Sequence, residues 1–152
     1  MDQDERLREV RRLSGADACV ECGRCTAVCP MAEMYANFSI AMSPRGFIKK
    51  ALSGEDLLAD RNLWYCTECN AGTDACPQGV SCRDLVRGLR RLALEKGRPE
   101  DMSVCPSCGE PFVAVPVEHF VLGRLKDEAP NVLKWLQRCP ACRRDGYLRR
   151  NA

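Results

Sequence analysis

With 152 residues, the chain has room for one compact domain or two very small ones, and too little for a large multidomain enzyme. Its 45% apolar content is that of a globular protein, and 29% charge at a net of +2 gives no field that calls for a polyanionic partner. The outlying number is 12 cysteines, close to the roughly 8–10% at which sulfur organises a small protein.

Residues 4 to 13 place Leu7, Val10 and Leu13 on the stripe of a short opening helix. Met1 to Arg12 contains no apolar h-region, and the longest apolar run, Phe112 to Val117, holds a proline and is far shorter than the roughly 20 residues of a membrane span. The expectation is a soluble, cytoplasmic chain. In a reducing compartment, clustered cysteines hold metal rather than pair as disulfides.

The first cysteine group is Cys19-x2-Cys22-x2-Cys25-x3-Cys29-Pro30, the complete cluster-binding run of two-cluster ferredoxins. Three thiolates within seven residues curl around three irons of one cubane, and the fourth, stiffened by the following proline, is directed to the other cluster. Next, Ser43-Pro44 supplies an N-cap and a first-turn proline, and Phe47, Ile48, Ala51 and Leu52 form an apolar stripe that Gly54 ends.

The second group, Cys66-x2-Cys69-x2-Gly72-x3-Cys76-Pro77, repeats the pattern about 47 residues on, with glycine at the third position. If the last cysteine of each run crosses over, one cluster takes Cys19, Cys22, Cys25 and Cys76, while the other takes Cys29, Cys66 and Cys69 with one iron unassigned. Cys82 is the favoured fourth ligand; Asp74 or a three-iron cluster are the alternatives. Ser81, with Asp84 three residues on, opens a helix through Leu85, Val86, Leu89, Leu92 and Ala93 that ends at Lys96-Gly97.

Arg98 to Asp101 reads as a linker. Beyond it, Phe112 to Val115 and Phe120 to Leu122 resemble short strands, and Asn131 to Arg138 a short helix. Two Cys-x2-Cys knuckles, Cys105/Cys108 and Cys139/Cys142, are 30 residues apart and present four thiolates to a tetrahedral ion. Zinc is expected, with rubredoxin-type iron as the alternative. Four protein ligands leave no open position, so the ion staples a segment that buries little apolar area, with Phe112, Phe120 and Trp135 as its small core. His119, between the knuckles, reads as a surface or strand residue.

The two cluster runs, with Ser43-Pro44-Arg45-Gly46 and Leu63-Trp64-Tyr65-Cys66-Thr67 between them and Cys76-Pro77-Gln78-Gly79-Val80 after, resemble the C subunit of heterodisulfide reductases over roughly residues 12 to 95. Gly72 and Cys82 depart from that pattern, and residues 99 to 152 lie outside it. The resemblance implies a mainly α chain. Residues 1–98 would form an all-helical 4Fe-4S dicluster ferredoxin, like the C-terminal domain of succinate dehydrogenase iron–sulfur subunits; outside the resemblance, the two knuckles lead to the expectation that residues 99–152 add a small α+β zinc ribbon. The resemblance also implies a role in passing electrons between flavin-containing and catalytic partner subunits.

The sequence has no Cys-Cys-Gly motif, no Gly-x-Gly-x-x-Gly and no plant-type cluster run, so catalysis by this chain alone is not expected. The competing readings are a freestanding ferredoxin-like carrier and a zinc-only structural protein. In the latter, Arg143, Arg144, Arg149 and Arg150 would contact nucleic acid; otherwise they form a solvated basic tail.

Overall fold

A computed structural model describes residues 2–97 and 99–150. The chain is mostly helical and divides into two compact units, residues 1–97 and 98–152.

In the first unit, helix α1 (Gln3–Ser14) starts at Asp2, whose side chain accepts the Asp4 N–H at 3.0 Å, and ends on Gly15 at φ 70°. Asp4 and Glu5 in its first turn and Arg11 and Arg12 in its last complement the helix dipole. Val10 is buried, but Leu13 is 65% exposed and Ser14 takes the inward place. The expected stripe fails there because each three-residue step falls about 60° short of a full turn.

Short helices α2 (Arg24–Ala27) and α3 (Met31–Met34) follow, then α4 (Pro44–Ser53), where the Ser43 hydroxyl accepts the Gly46 N–H at 3.2 Å. Of the α4 stripe, Phe47 and Ile48 are buried, whereas Ala51 is half-buried and Leu52 is 39% exposed. A 3₁₀ segment, Arg61–Tyr65, buries Leu63 and Trp64 ahead of the second cysteine run, which contains α5 (Ala71–Asp74).

Helix α6 (Cys82–Glu95) opens on Ser81, whose hydroxyl accepts the Asp84 N–H at 3.2 Å, and buries Leu85, Val86, Leu89, Leu92 and Ala93 as expected. It packs on α1 and α4. The α1–α6 approach depends on Gly88: a Cβ there would lie 2.5 Å from Val10 Cγ1. The Ser81 N–H also donates to Ser14 O at 2.8 Å, fixing the start of α6 to the end of α1.

In the second unit, Pro99–Asp101 form a 3₁₀ turn where a linker is expected; Arg98 lies outside the described residues. An antiparallel pair follows, β1 (Met102–Val104) and β2 (Pro111–Ala114), with Ser103 opposite Val113. Then come α7 (Val115–Arg124), α8 (Pro130–Leu136) and α9 (Pro140–Arg150). Three expectations need correction. Phe120 to Leu122 are helical, because Pro116 sits in the first turn of α7 and Val117, Phe120 and Val121 recur at helical spacing. Val115, expected at the end of a strand, is the first residue of α7, and the Cys139–Cys142 knuckle leads into α9, with Pro140 as the first helical residue. Finally, Phe112 and Phe120 are only half-buried and Trp135 is 39% exposed, since three short helices and a two-stranded hairpin enclose little volume.

Candidate metal centres

The first two cysteine groups fold around two small cavities. Cys19, Cys22, Cys25 and Cys76 line one, and Cys29, Cys66 and Cys69 line the other. Gly72 and Cys82 line both and form a shared wall. Each run therefore gives its loop positions to one cavity and its Cys-Pro cysteine to the other.

The backbone is shaped around the sulfurs. Glu21 and Glu68, two residues after the first cysteine of each run, both hold positive φ, 53° and 54°. The same conformation in both aims the Glu21 N–H at Cys19 Sγ and the Glu68 N–H at Cys66 Sγ, each at 3.4 Å. Val80 N–H meets Cys76 Sγ at the same distance. Positive φ is uncommon for a residue other than glycine, and its recurrence at matched positions marks a constraint set by the sulfur. N–H groups directed at thiolate sulfur stabilise the negative charge a cluster ligand carries.

The position equivalent to Cys25 is Gly72. A Cβ there would lie 3.3 Å from Cys25 Cβ and 3.6 Å from Pro44 Cγ, so this point is already crowded. Cys82, the first residue of α6, is buried instead. Burial pushes its thiol well above the usual range, and the facing sulfurs of Cys66, Cys25, Cys29 and Cys69 push it the same way. Asp74 is exposed, accepts a hydrogen bond from Asn70 Nδ2 at 2.7 Å and is not among the residues lining either cavity.

The second cavity is backed by apolar side chains. Cys29, Met31 and Met42 are buried together, with Tyr35, Phe38 and Tyr65 packed against them. Burial drives the Cys66 thiol up to about 11, partly offset by the Glu68 N–H and the Arg90 guanidinium. Each cavity keeps one exposed cysteine, Cys22 in the first and Cys69 in the second.

The third group is tighter. The sulfurs of Cys105, Cys108, Cys139 and Cys142 all lie within 4.8 Å of one another, and Cys108 Sγ is 3.7 Å from Cys139 Sγ. Four sulfurs at a metal–sulfur distance of ~2.3 Å form a tetrahedron with edges of ~3.8 Å, so one ion fits. Cys105 and Cys108 come from the β1–β2 turn, where the Gly109 N–H donates to Cys105 O at 2.9 Å and Gly109 takes φ 78°. Cys139 and Cys142 come from the start of α9, and the Cys139 N–H donates to Cys105 Sγ at 3.3 Å. That bond, with the N–H groups of Ser107 and Cys108, holds the Cys105 thiol down to about 6. The neighbouring thiols of Cys108 and Cys139 drive Cys142 up to about 12. His119 is exposed and is not part of this set.

The thiolate donor sets and their N–H groups fit iron–sulfur clusters in the two cavities and one tetrahedral ion in the third group. Among the described residues, only the third group gathers at least three His, Cys, Asp or Glu ligand atoms closely enough for a single ion. The site chemistry that sequence reasoning misses is backbone chemistry: Glu21 and Glu68 carry no motif of their own, although an acid two residues after the first cysteine in both runs was a visible repeat.

Known proteins are similar to this chain in sequence. Residues 15–80 match the family described as the 4Fe-4S dicluster domain. The C subunit of the ferredoxin:CoB-CoM heterodisulfide reductase of Methanosarcina mazei is 34% identical over 119 residues, 75% of this chain and 71% of that one. The C 2 iron-sulfur subunit of the CoB–CoM heterodisulfide reductase of Methanocaldococcus jannaschii is 35% identical over 53% of this chain and 41% of its own. A protein of Archaeoglobus profundus named as like the heterodisulfide reductase C subunit is 31% identical over 61% of this chain and 50% of its own. The Methanosarcina match covers more of the chain than its first 97 residues supply, so the likeness runs into the second unit, beyond the limit expected from the motifs. The cysteine runs, the paired cavities and these relatives agree, and the chain belongs to the family of iron–sulfur proteins formed by the C subunits of heterodisulfide reductases.

Proposed function

We propose that the chain is an electron-transfer subunit holding two 4Fe-4S clusters and one structural zinc ion. In this reading Cys19, Cys22, Cys25 and Cys76 hold the first cluster, and Cys29, Cys66, Cys69 and Cys82 the second. Cys105, Cys108, Cys139 and Cys142 hold the zinc. A cluster so held takes up and gives back one electron without a change of ligands. The residues do the rest. They fix two such groups side by side, exclude water through Met31, Met42 and Phe47 around the second, and leave an exposed cysteine on each.

The shared wall of Gly72 and Cys82 is the observation that carries the reading, because an electron relay needs adjacent centres. The names of its relatives, each a C subunit, support a place in a multi-subunit heterodisulfide reductase-like complex, and the reading puts the chain there between a flavin-containing subunit and a catalytic one. Val20 lines the first cavity yet is 60% exposed, an apolar surface beside a cluster that suits docking. No helix among the described residues is long and apolar enough to cross a membrane.

The zinc-only reading would need a tetrahedral site in each cysteine group, and only the third provides one among the described residues. Cys22→Ser separates the readings further. It is expected to damage one four-iron centre and leave the other recognisable by electron paramagnetic resonance. Equal loss of both would show that the ligand sets are not separate.

A further inference from the structure

Arg90, in the third turn of α6, is only 9% exposed. A guanidinium taken out of water costs several kcal/mol unless its donors and its charge are met. Here they are met by one short segment. Nε and Nη2 donate to Leu63 O at 3.1 and 2.7 Å, Nη2 also donates to Cys66 O at 2.6 Å, and Nη1 donates to Glu68 Oε1 at 2.7 Å. The guanidinium carbon lies 5.5 Å from the Trp64 ring centre. All of these partners belong to residues 63–68, the stretch that delivers Cys66 and aims the Glu68 N–H at its sulfur. The planar fork makes four bonds from three nitrogens to two carbonyls and a carboxylate, a geometry that the single nitrogen of a lysine does not reproduce.

The first run solves the same problem differently. Glu21, the counterpart of Glu68, pairs with Arg45 at 2.9 Å and Lys49 at 3.3 Å, whose side chains are 35% and 53% exposed and screened by water. The second run has an exposed cation as well, Arg87 on Glu68 at 2.8 Å, and adds the buried one. Arg87, Glu68 and Arg90 together carry a net positive charge beside Cys66.

We propose that Arg90 is the positioning residue for Cys66 and raises the reduction potential of the cluster that Cys66 holds. The inference rests on Cys66 being a ligand of the second cluster. Reduction adds one electron and one negative charge to that cluster, and the nearby positive charge of the Arg90 guanidinium favours the reduced form.

The test is a redox titration of the full chain, followed by electron paramagnetic resonance, for the wild type, Arg90→Met and Glu68→Gln. Arg90→Met is expected to disfavour reduction of one centre by about tenfold, or about 59 mV for one electron, while the other midpoint holds. Glu68→Gln removes a negative charge and keeps Arg90's bonds to the two carbonyls, so the same midpoint moves up. It supplies the test if Arg90→Met does not assemble that centre. Midpoints unmoved in every variant that assembles overturn the proposal. A shift confined to the centre that Cys22→Ser destroys overturns instead the ligand assignment beneath it.

Discussion

Cys82→Ala is expected to turn one four-iron centre into a three-iron or site-open form while the other keeps its signal. Cys82 is buried at the start of α6, in the wall of the cavity that holds Cys29, Cys66 and Cys69. Losing one of four thiolates leaves one iron without its protein ligand, whereas losing a small apolar side chain at a helix start would leave the spectrum unchanged. The reciprocal change is sharper. Gly72→Cys together with Cys82→Ala returns the third thiolate to its position in the repeat, and only Cys25 need move, by a few tenths of an ångström, to admit its Cβ, Pro44 being in ordinary contact at 3.6 Å. The double variant is expected to recover a four-iron centre. Iron counts and resonance spectra of the three proteins decide the matter, and an unchanged spectrum in Cys82→Ala would remove it from the ligand set.

The second large effect concerns the second unit. Among its described residues only Cys105, Ala114 and Cys139 are buried, so its interior is largely the metal site itself. Val104, Val121, Val132, Trp135 and Leu148 are all more than a third exposed. Metal bound by four thiolates contributes about 10–16 kcal/mol in small zinc domains, more than so little burial can supply. Cys105→Ser is therefore expected to unfold this unit, with loss of zinc and of the circular-dichroism signal of α7 to α9, while the visible iron–sulfur spectrum persists. Deleting residues 99–152 is expected to spare that spectrum likewise and to weaken assembly with partner subunits. Collapse of the iron–sulfur spectrum in either protein would contradict the structural role.

The elements legible in the sequence are those fixed by neighbours in the chain. Ser43-Pro44 and Gly54 bracket α4, and Ser81 with the Leu85 to Ala93 stripe marks α6, because caps and helical periodicity act within a few residues. The second unit was harder to read. Val113, Val115 and Val121 suggest strands by composition; Val113 lies in β2, and Pro116 in the first turn of α7 is the signal that outweighs the strand reading for Val115 and Val121.

At the centres, cysteine spacing displays the candidate ligands, since three thiolates on one curl is a local property. What surrounds them is not local. Arg90 lies 22 to 27 residues from its hydrogen-bond partners and looks like one more charge on a helix rich in arginine. Its place between Leu89 and Leu92, within the buried stripe, is the one trace it leaves in the sequence. The positive φ of Glu21 and Glu68 leaves less still, because it is a product of the fold around the sulfurs.

The presence of two iron–sulfur cubanes beside one structural zinc is tested most directly by metal and acid-labile sulfide analysis of the anaerobically purified full chain. About eight iron, eight sulfide and one zinc per chain are expected, with broad thiolate-to-iron absorption in the visible. Colourless protein with about three zinc ions and no sulfide would contradict that composition and the electron-transfer role built on it.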